Sequence, residues 1–169
     1  TIKNGRGVNT ERIIIHSDLN NFYASVERKL HPELCGVPVA VCGSKEERRG
    51  IVLAKSEEAK RAGVKTGDTV WQAKRKCPDI VCVPPHFDEY MKHSRLVKKI
   101  YARYTDLIEG YGIDECWLDV TKSTKIFKEF SPTYTEVEGV RYFTDAYLTF
   151  LGDTIREEVK SEIGVTVSC

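Results

Sequence analysis

No stretch of this 169-residue chain carries enough consecutive apolar residues to span a bilayer, and its first residues lack the apolar core of a signal peptide. A cytoplasmic protein without a membrane partner is the expectation. No charge of one sign dominates either. With 26 Lys and Arg against 25 Asp and Glu the net charge is +1, so any affinity for nucleic acid must come from local patches. Repeats and low-complexity segments are absent. The six cysteines (Cys35, Cys42, Cys77, Cys82, Cys116, Cys169) form no CxxC pair, and several lie in apolar strands. They read as small buried apolar residues in a reducing compartment, which argues against a zinc site or a disulfide framework. A hydrophobic content of 41% suffices for one good core plus a small appended lobe.

What the chain does have is organised around Gly110-Tyr111-Gly112-Ile113-Asp114-Glu115-Cys116-Trp117-Leu118-Asp119-Val120. Apolar residues alternate up to Ile113, two carboxylates follow side by side, and alternation resumes through Leu118 and Val120. This predicts two short antiparallel strands with Asp114 and Glu115 at the tip. Read alone, the acidic pair fits either a solvated turn or a site for a divalent cation such as Mg²⁺. A second stretch bears on that choice. Ile13, Ile14 and Ile15 predict a central strand buried on both faces, ending at Asp18. Asn20 or Asn21 would cap a following helix whose inward face is Phe22, Val26 and Leu30. A carboxylate where a buried strand meets a helix N-terminus suits a metal, or it simply caps the helix.

Between these stretches the chain reads as a small α+β lobe. Strands are expected over 37–42, 51–55 and 80–83, with a charged loop over 43–50. A helix over 57–62 is capped by Ser56 and stopped by Gly63, and one over 69–77 turns Val70, Trp71 and Ala73 inward. Residues 1–10 read as a loose extension. A long helix over 87–108 has Tyr90, Val97, Ile100, Tyr101 and Leu107 as core candidates. Its other face, with Lys92, Arg95, Lys98, Lys99 and Arg103, is either solvated or a nucleic-acid contact. After a variable segment over 121–140 come a helix built on Phe143, Tyr147, Phe150, Ile155 and Val159 and a last strand over 164–168. Strand, helix, hairpin, helix, strand is the βαββαβ order of a ferredoxin-like sheet.

The run Asp18-Leu19-Asn20-Asn21-Phe22-Tyr23-Ala24-Ser25-Val26-Glu27, followed by Tyr111-Gly112-Ile113-Asp114-Glu115-Cys116-Trp117-Leu118-Asp119, resembles the Y-family (translesion) DNA polymerases, most closely the DNA polymerase IV-like branch. Gly50 to Lys55 and Ala59 to Gly67 resemble the fingers of that family. The likeness runs from about Arg12 to the end of the chain. It implies an α+β fold with a ferredoxin-like palm and an inserted fingers lobe. Residues 1–21 would be an extension and the first palm strand, 22–86 the fingers, and 87–169 the remainder of the palm, with thumb and little finger beyond Cys169. It further implies template-directed addition of dNTPs to a primer 3′-hydroxyl past damaged template, in DNA repair. Asp18, Asp114 and Glu115 would be catalytic, holding two Mg²⁺ ions (Mn²⁺ a substitute) with the backbone carbonyl of Leu19. Asn21, Phe22, Tyr23, Lys55 and Lys60 would form the nucleotide pocket, with Tyr23 the steric gate against a 2′-hydroxyl and Phe22 its core side. Primer–template DNA and dNTP are the implied partners, and the sliding clamp is a candidate through regions absent from this chain.

The chain departs from the family at several places. Glu57 and Lys60 stand where a Tyr and an Arg usually grip the triphosphate, so Lys60 keeps the charge without the bidentate fork. Glu57 is unfavourable there unless it turns outward or pairs with Lys55 or Arg61. Ala54 replaces a hydroxyl-bearing residue, Gly112 a Ser and Asn20 a frequent Asp. Weaker nucleotide binding is expected, with the chemistry retained. Two rivals stand beside this reading. A nucleotide cyclase would need a Gly-Gly pair before the acids and no inserted lobe. A catalytically weakened polymerase relative would mainly bind DNA or a partner.

Overall fold

The alternation of the acidic stretch and the run of isoleucines form neighbouring strands of one sheet, and the rest of the molecule is arranged on them. A computed structural model describes residues 9–10, 12–43, 50–123, 134–138, 140–143 and 145–169, with the backbone alone at 9–10, 134–137, 140–143 and 145–147. Most of the expected loose extension and charged loop, part of the variable segment, and the side chains of Phe143 and Tyr147 lie outside the described residues. In chain order the elements begin with β1 (Asn9–Thr10), β2 (Ile14–Leu19), α1 (Phe22–Leu30), β3 (Val39–Cys42), β4 (Val52–Lys55), α2 (Glu57–Arg61), α3 (Val70–Lys76) and β5 (Val81–Val83). They continue with α4 (Phe87–Tyr101), β6 (Ile108–Gly110), β7 (Glu115–Asp119), β8 (Tyr134–Val137), β9 (Val140–Phe143), α5 (Asp145–Glu158) and β10 (Val167–Ser168).

The main sheet has the order β10-β2-β7-β6 and is antiparallel throughout. Counting only its own strands along the chain, that is fourth, first, third, second, the ferredoxin-like arrangement. Alternation explains its two faces. Ser17, Leu19, Cys116 and Leu118 turn inward onto Phe22 and Val26 of α1, Val97 and Ile100 of α4, and Leu151 and Ile155 of α5. Ile14, His16 and Asp18 of β2 and Glu115, Trp117 and Asp119 of β7 point the other way. The expectation of a strand buried on both faces is therefore corrected: Ile14 and Trp117 are exposed, because helices cover only one side of a two-layer sheet.

The inserted lobe has the sheet β4-β3-β5 and a small core of its own, Ala40, Cys42, Val52, Ala59, Val64, Ala73, Cys77 and Ile80. Ser56 caps α2 as expected, accepting from the Ala59 N–H, and Gly63 takes φ +87° where the helix stops. Thr69 and Gln72 form a reciprocal capping box that starts α3.

Several expectations are overturned. Trp71 is 64% exposed, its ring covered by the Arg75 guanidinium at 4.8 Å instead of by the core. Leu30, Leu107 and Phe150 are exposed, and α4 ends at Tyr101 instead of running to 108, so Leu107 falls in the connection to β6. β6 ends at Gly110, which shortens the hairpin strands. Cys35 and Cys169 are exposed, unlike the buried Cys42, Cys77 and Cys116. In the variable segment β8 pairs with β9, which takes Phe143 into a strand instead of the expected helix, and β9 pairs in parallel with β1.

Candidate active site

The strand register sets the site. Leu19 N–H donates to the Asp114 carbonyl at 3.0 Å, and Val120 N–H donates to the Ile13 carbonyl at 2.9 Å. Odd-numbered residues of β2 thus make the backbone bonds to β7, so Asp18 and Glu115 face each other as a non-bonded pair, the geometry that brings side chains closest. Asp114, the residue before β7, is held beside them through Leu19. No reciprocal bond from the Asp114 N–H to the Leu19 carbonyl accompanies this contact, which leaves that oxygen available as a ligand to a cation. The three predicted catalytic acids are therefore brought to one end of the sheet although about a hundred residues separate the first from the others.

Burial, and then the charge of Asp18, push the Asp114 carboxyl above its usual range; Lys98 opposes the rise. The Lys98 ammonium crosses from α4 and donates to the Gly112 carbonyl at 3.2 Å. It passes 3.4 Å from where a Cβ of Gly110 would stand, and a Cβ at Gly112 would lie 3.4 Å from Asp114 Oδ1. The glycine at 110 thus gives the lysine room, and the one at 112 the Asp114 carboxylate. The sequence pattern marks Lys98 only as part of a basic face; this tether depends on a loop conformation that the pattern does not encode. On the outer face of the sheet His16 stacks on Trp117 at 4.2 Å and lies 3.8 Å from Glu115 Oε2.

Carboxylate and carbonyl oxygens are the hard donors that Mg²⁺ or Mn²⁺ takes, and a half-buried carboxyl such as Asp114, raised by burial and by the charge of Asp18, is favoured by a cation, so the donor set fits such an ion. The side chains are not converged, however. Among the described residues no three His, Cys, Asp or Glu side chains stand together closely enough to hold a metal ion.

The predicted nucleotide residues are gathered less completely. Tyr23 lies at the start of α1, close enough to Asp114 for that charge, second to burial, to raise its phenol pKa. Phe22 is buried in the core, so it supports the turn from beneath. Asn21 occupies the N-cap with φ 48° and no side-chain cap bond, against the expected capping role; its amide donates to Glu57 at 3.5 Å. Asn20 does not cap either and accepts from Ser168 at 2.8 Å. Lys60 pairs with Glu57 at 3.7 Å, so Glu57 is neutralised by its own helix and not by Lys55 or Arg61. Lys55 donates to Thr66 at 3.1 Å.

Residues 17–169 match the impB/mucB/samB family. The chain belongs to that family. A relative named DNA polymerase IV from Acetivibrio thermocellus is 50% identical over 158 residues, which is 94% of this chain and 35% of that protein. DNA polymerase IV 1 of Bacillus subtilis is 53% identical over 110 residues, 65% of this chain and 27% of its own length. Among solved structures, an insertion ternary complex of Dbh DNA polymerase superposes with a TM-score of 0.74 at 29% identity, over 92% of this chain and 41% of that one. DinB from Sulfolobus solfataricus gives 0.74 at 28% identity, over 92% of this chain and 40% of that one. The chain thus spans well under half the length of these relatives. The impB/mucB/samB match begins at Ser17, one residue before Asp18, and includes both acidic stretches and the lobe between them.

Proposed function

We propose that this chain carries the catalytic centre of a template-directed DNA polymerase of the error-prone translesion type, acting in damage tolerance in the cytoplasm. The observation that carries the reading is the register placing Asp18 opposite Glu115 with Asp114 bonded to Leu19, in a chain of the impB/mucB/samB family. Two Mg²⁺ ions, or Mn²⁺ in their place, would neutralise charge on the entering and leaving oxygens of the phosphoryl transfer. Asp18 and Asp114 would serve both ions, the Leu19 carbonyl would complete the set on the nucleotide side, and Glu115 would hold the ion on the side of the primer 3′-hydroxyl. Tyr23 would lie under the deoxyribose and exclude a 2′-hydroxyl, with Asn21, Lys55 and Lys60 nearest the triphosphate. Residues 22–86 would serve as fingers, and residues 1–21 and 87–169 as palm. Primer–template DNA and dNTP are the partners, and the sliding clamp a candidate through regions outside this chain.

Primer extension by the whole protein tests this. Asp114→Asn and Glu115→Gln should each lower incorporation by about 10²-fold or more, the usual cost of removing a transition-state charge partner, while leaving the fold intact by circular dichroism. Near-native incorporation by either variant would refute the assignment. Glu57 beside Asn21 and Lys60 favours a second reading, a weakened relative that mainly binds DNA or a partner. In that case the native protein would bind primer–template yet extend nothing with either metal.

A further inference from the structure

Glu27 is a carboxylate with 0% of its surface exposed, and the proposed chemistry does not use it. It sits one helical turn after Tyr23 on α1 and accepts from the Tyr90 hydroxyl of α4, whose ring is itself fully buried. Its two oxygens also lie 3.0 Å from His86 Nδ1, at the N-cap of α4. A carboxylate taken out of water is costly unless its partners are fixed, and here both partners belong to the same helix start. The Tyr90 ring then stacks against Tyr23, centroids 4.3 Å apart and planes within 8°. Phe87 meets both rings edge-on, at 5.9 Å from Tyr23 and 5.6 Å from Tyr90. The Tyr23 ring therefore has a wall behind it that is bolted at its far end. It can withdraw only if Tyr90 moves, and Tyr90 is held by Glu27.

We propose that Tyr90, anchored by the buried Glu27 carboxylate, is a positioning residue that fixes the plane of Tyr23 and thereby sets discrimination between deoxyribose and ribose. Exclusion of one hydroxyl by sterics works only against a surface that does not yield. The brace supplies that stiffness without touching the nucleotide. This inference rests on the reading of Tyr23 as the sugar gate.

The test measures kcat/KM for a dNTP and for the matching rNTP in the whole protein, with Tyr23→Ala, Tyr90→Leu, Tyr90→Phe and Glu27→Gln. Tyr90→Leu removes the stacked face and should shift the rNTP-to-dNTP ratio toward ribonucleotides by roughly tenfold, the scale of one aromatic pair. The shift should come mainly through a lower KM for the rNTP. Tyr90→Phe, which keeps the stack and loses the anchor, should shift the ratio less but in the same direction. Glu27→Gln, which keeps an acceptor, should stay nearest to the native ratio. These last two preserve volume and keep the test open if Tyr90→Leu fails to fold. If Tyr23→Ala opens the enzyme to ribonucleotides while no Tyr90 variant changes the ratio, the brace is wrong and the gate stands. A loss of both substrates alike in the Tyr90 variants would mark a merely structural residue and also overturn the brace. If Tyr23→Ala leaves the ratio unchanged, the gate reading fails and takes the brace with it.

Discussion

A single ring at the start of α1 decides which sugar is admitted if the proposed function holds. Tyr23→Ala should raise ribonucleotide incorporation in a primer-extension series with mixed pools, and an unchanged sugar preference would remove Tyr23 from the pocket. At the same scale Gly112 meets the demand of its neighbour. A Cβ there would stand 3.4 Å from Asp114 Oδ1, at the near edge of ordinary contact, so Gly112→Ala should restrict how that carboxylate can turn. The expected result is a several-fold loss in catalysis, by roughly the sensitivity of positioned groups to small misplacement, with little change in melting temperature. Measuring kcat beside Tm separates the two. In the interior Leu118 of β7 is fully buried in the main core. Leu118→Ala should cost about 2–5 kcal/mol in urea unfolding through lost contacts and the cavity left behind.

Between elements, one ion pair ties the lobe to the first helix. Arg28 of α1 donates to both Glu58 of α2 and the Val37 carbonyl. The Arg28 hydrogen bond, chief among several causes, lowers the Glu58 pKa from the model-compound 4.5 to about 2. A carboxylate with a depressed folded pKa adds stability above its unfolded pKa and loses it as pH falls through the folded one. Native protein should therefore lose stability between pH 4.5 and about 2. Glu58→Gln should flatten that part of the curve in pH-dependent urea midpoints; an unchanged slope would show the pair to be inert. The capping box of α3 belongs to the same scale, and Thr69→Ala should cost about 1 kcal/mol.

For the whole molecule, the two cores meet at β3. Ala40 and Cys42 face the lobe's small core, while Val41 between them packs into the main one. This alternation makes one strand the seam of the protein. Val41→Ala should destabilise by roughly 1–3 kcal/mol and leave a single cooperative transition by fluorescence and circular dichroism. Two separated transitions would show the lobe and the main sheet to unfold independently. The basic face expected over 87–108 is smaller than its sequence implies, since Arg103, beyond the end of α4, is engaged by Glu158 and Glu162 and Lys98 by Gly112. Lys92 pairs with Glu89 at 3.3 Å.

Local chemistry determined much of this in advance. Alternation and helical spacing fix the βαββαβ order, the lobe, and helix caps such as Ser56, because each depends on residues a few positions apart. The identities of Asp18, Asp114 and Glu115 as a possible set could be read from the two stretches that contain them. Their neighbourhood could not: it follows from a register in which Ser17 opposes Cys116 and Asp18 opposes Glu115, and register is settled by which face the helices cover. The same holds for Glu27. Its position beside Val26 marks it only as an acid near an inward face, and the fold supplies Tyr90 and His86 from a helix some sixty residues later. Pairings across such distances are selected by packing of the complete sheet and its helices, which no short window of sequence contains.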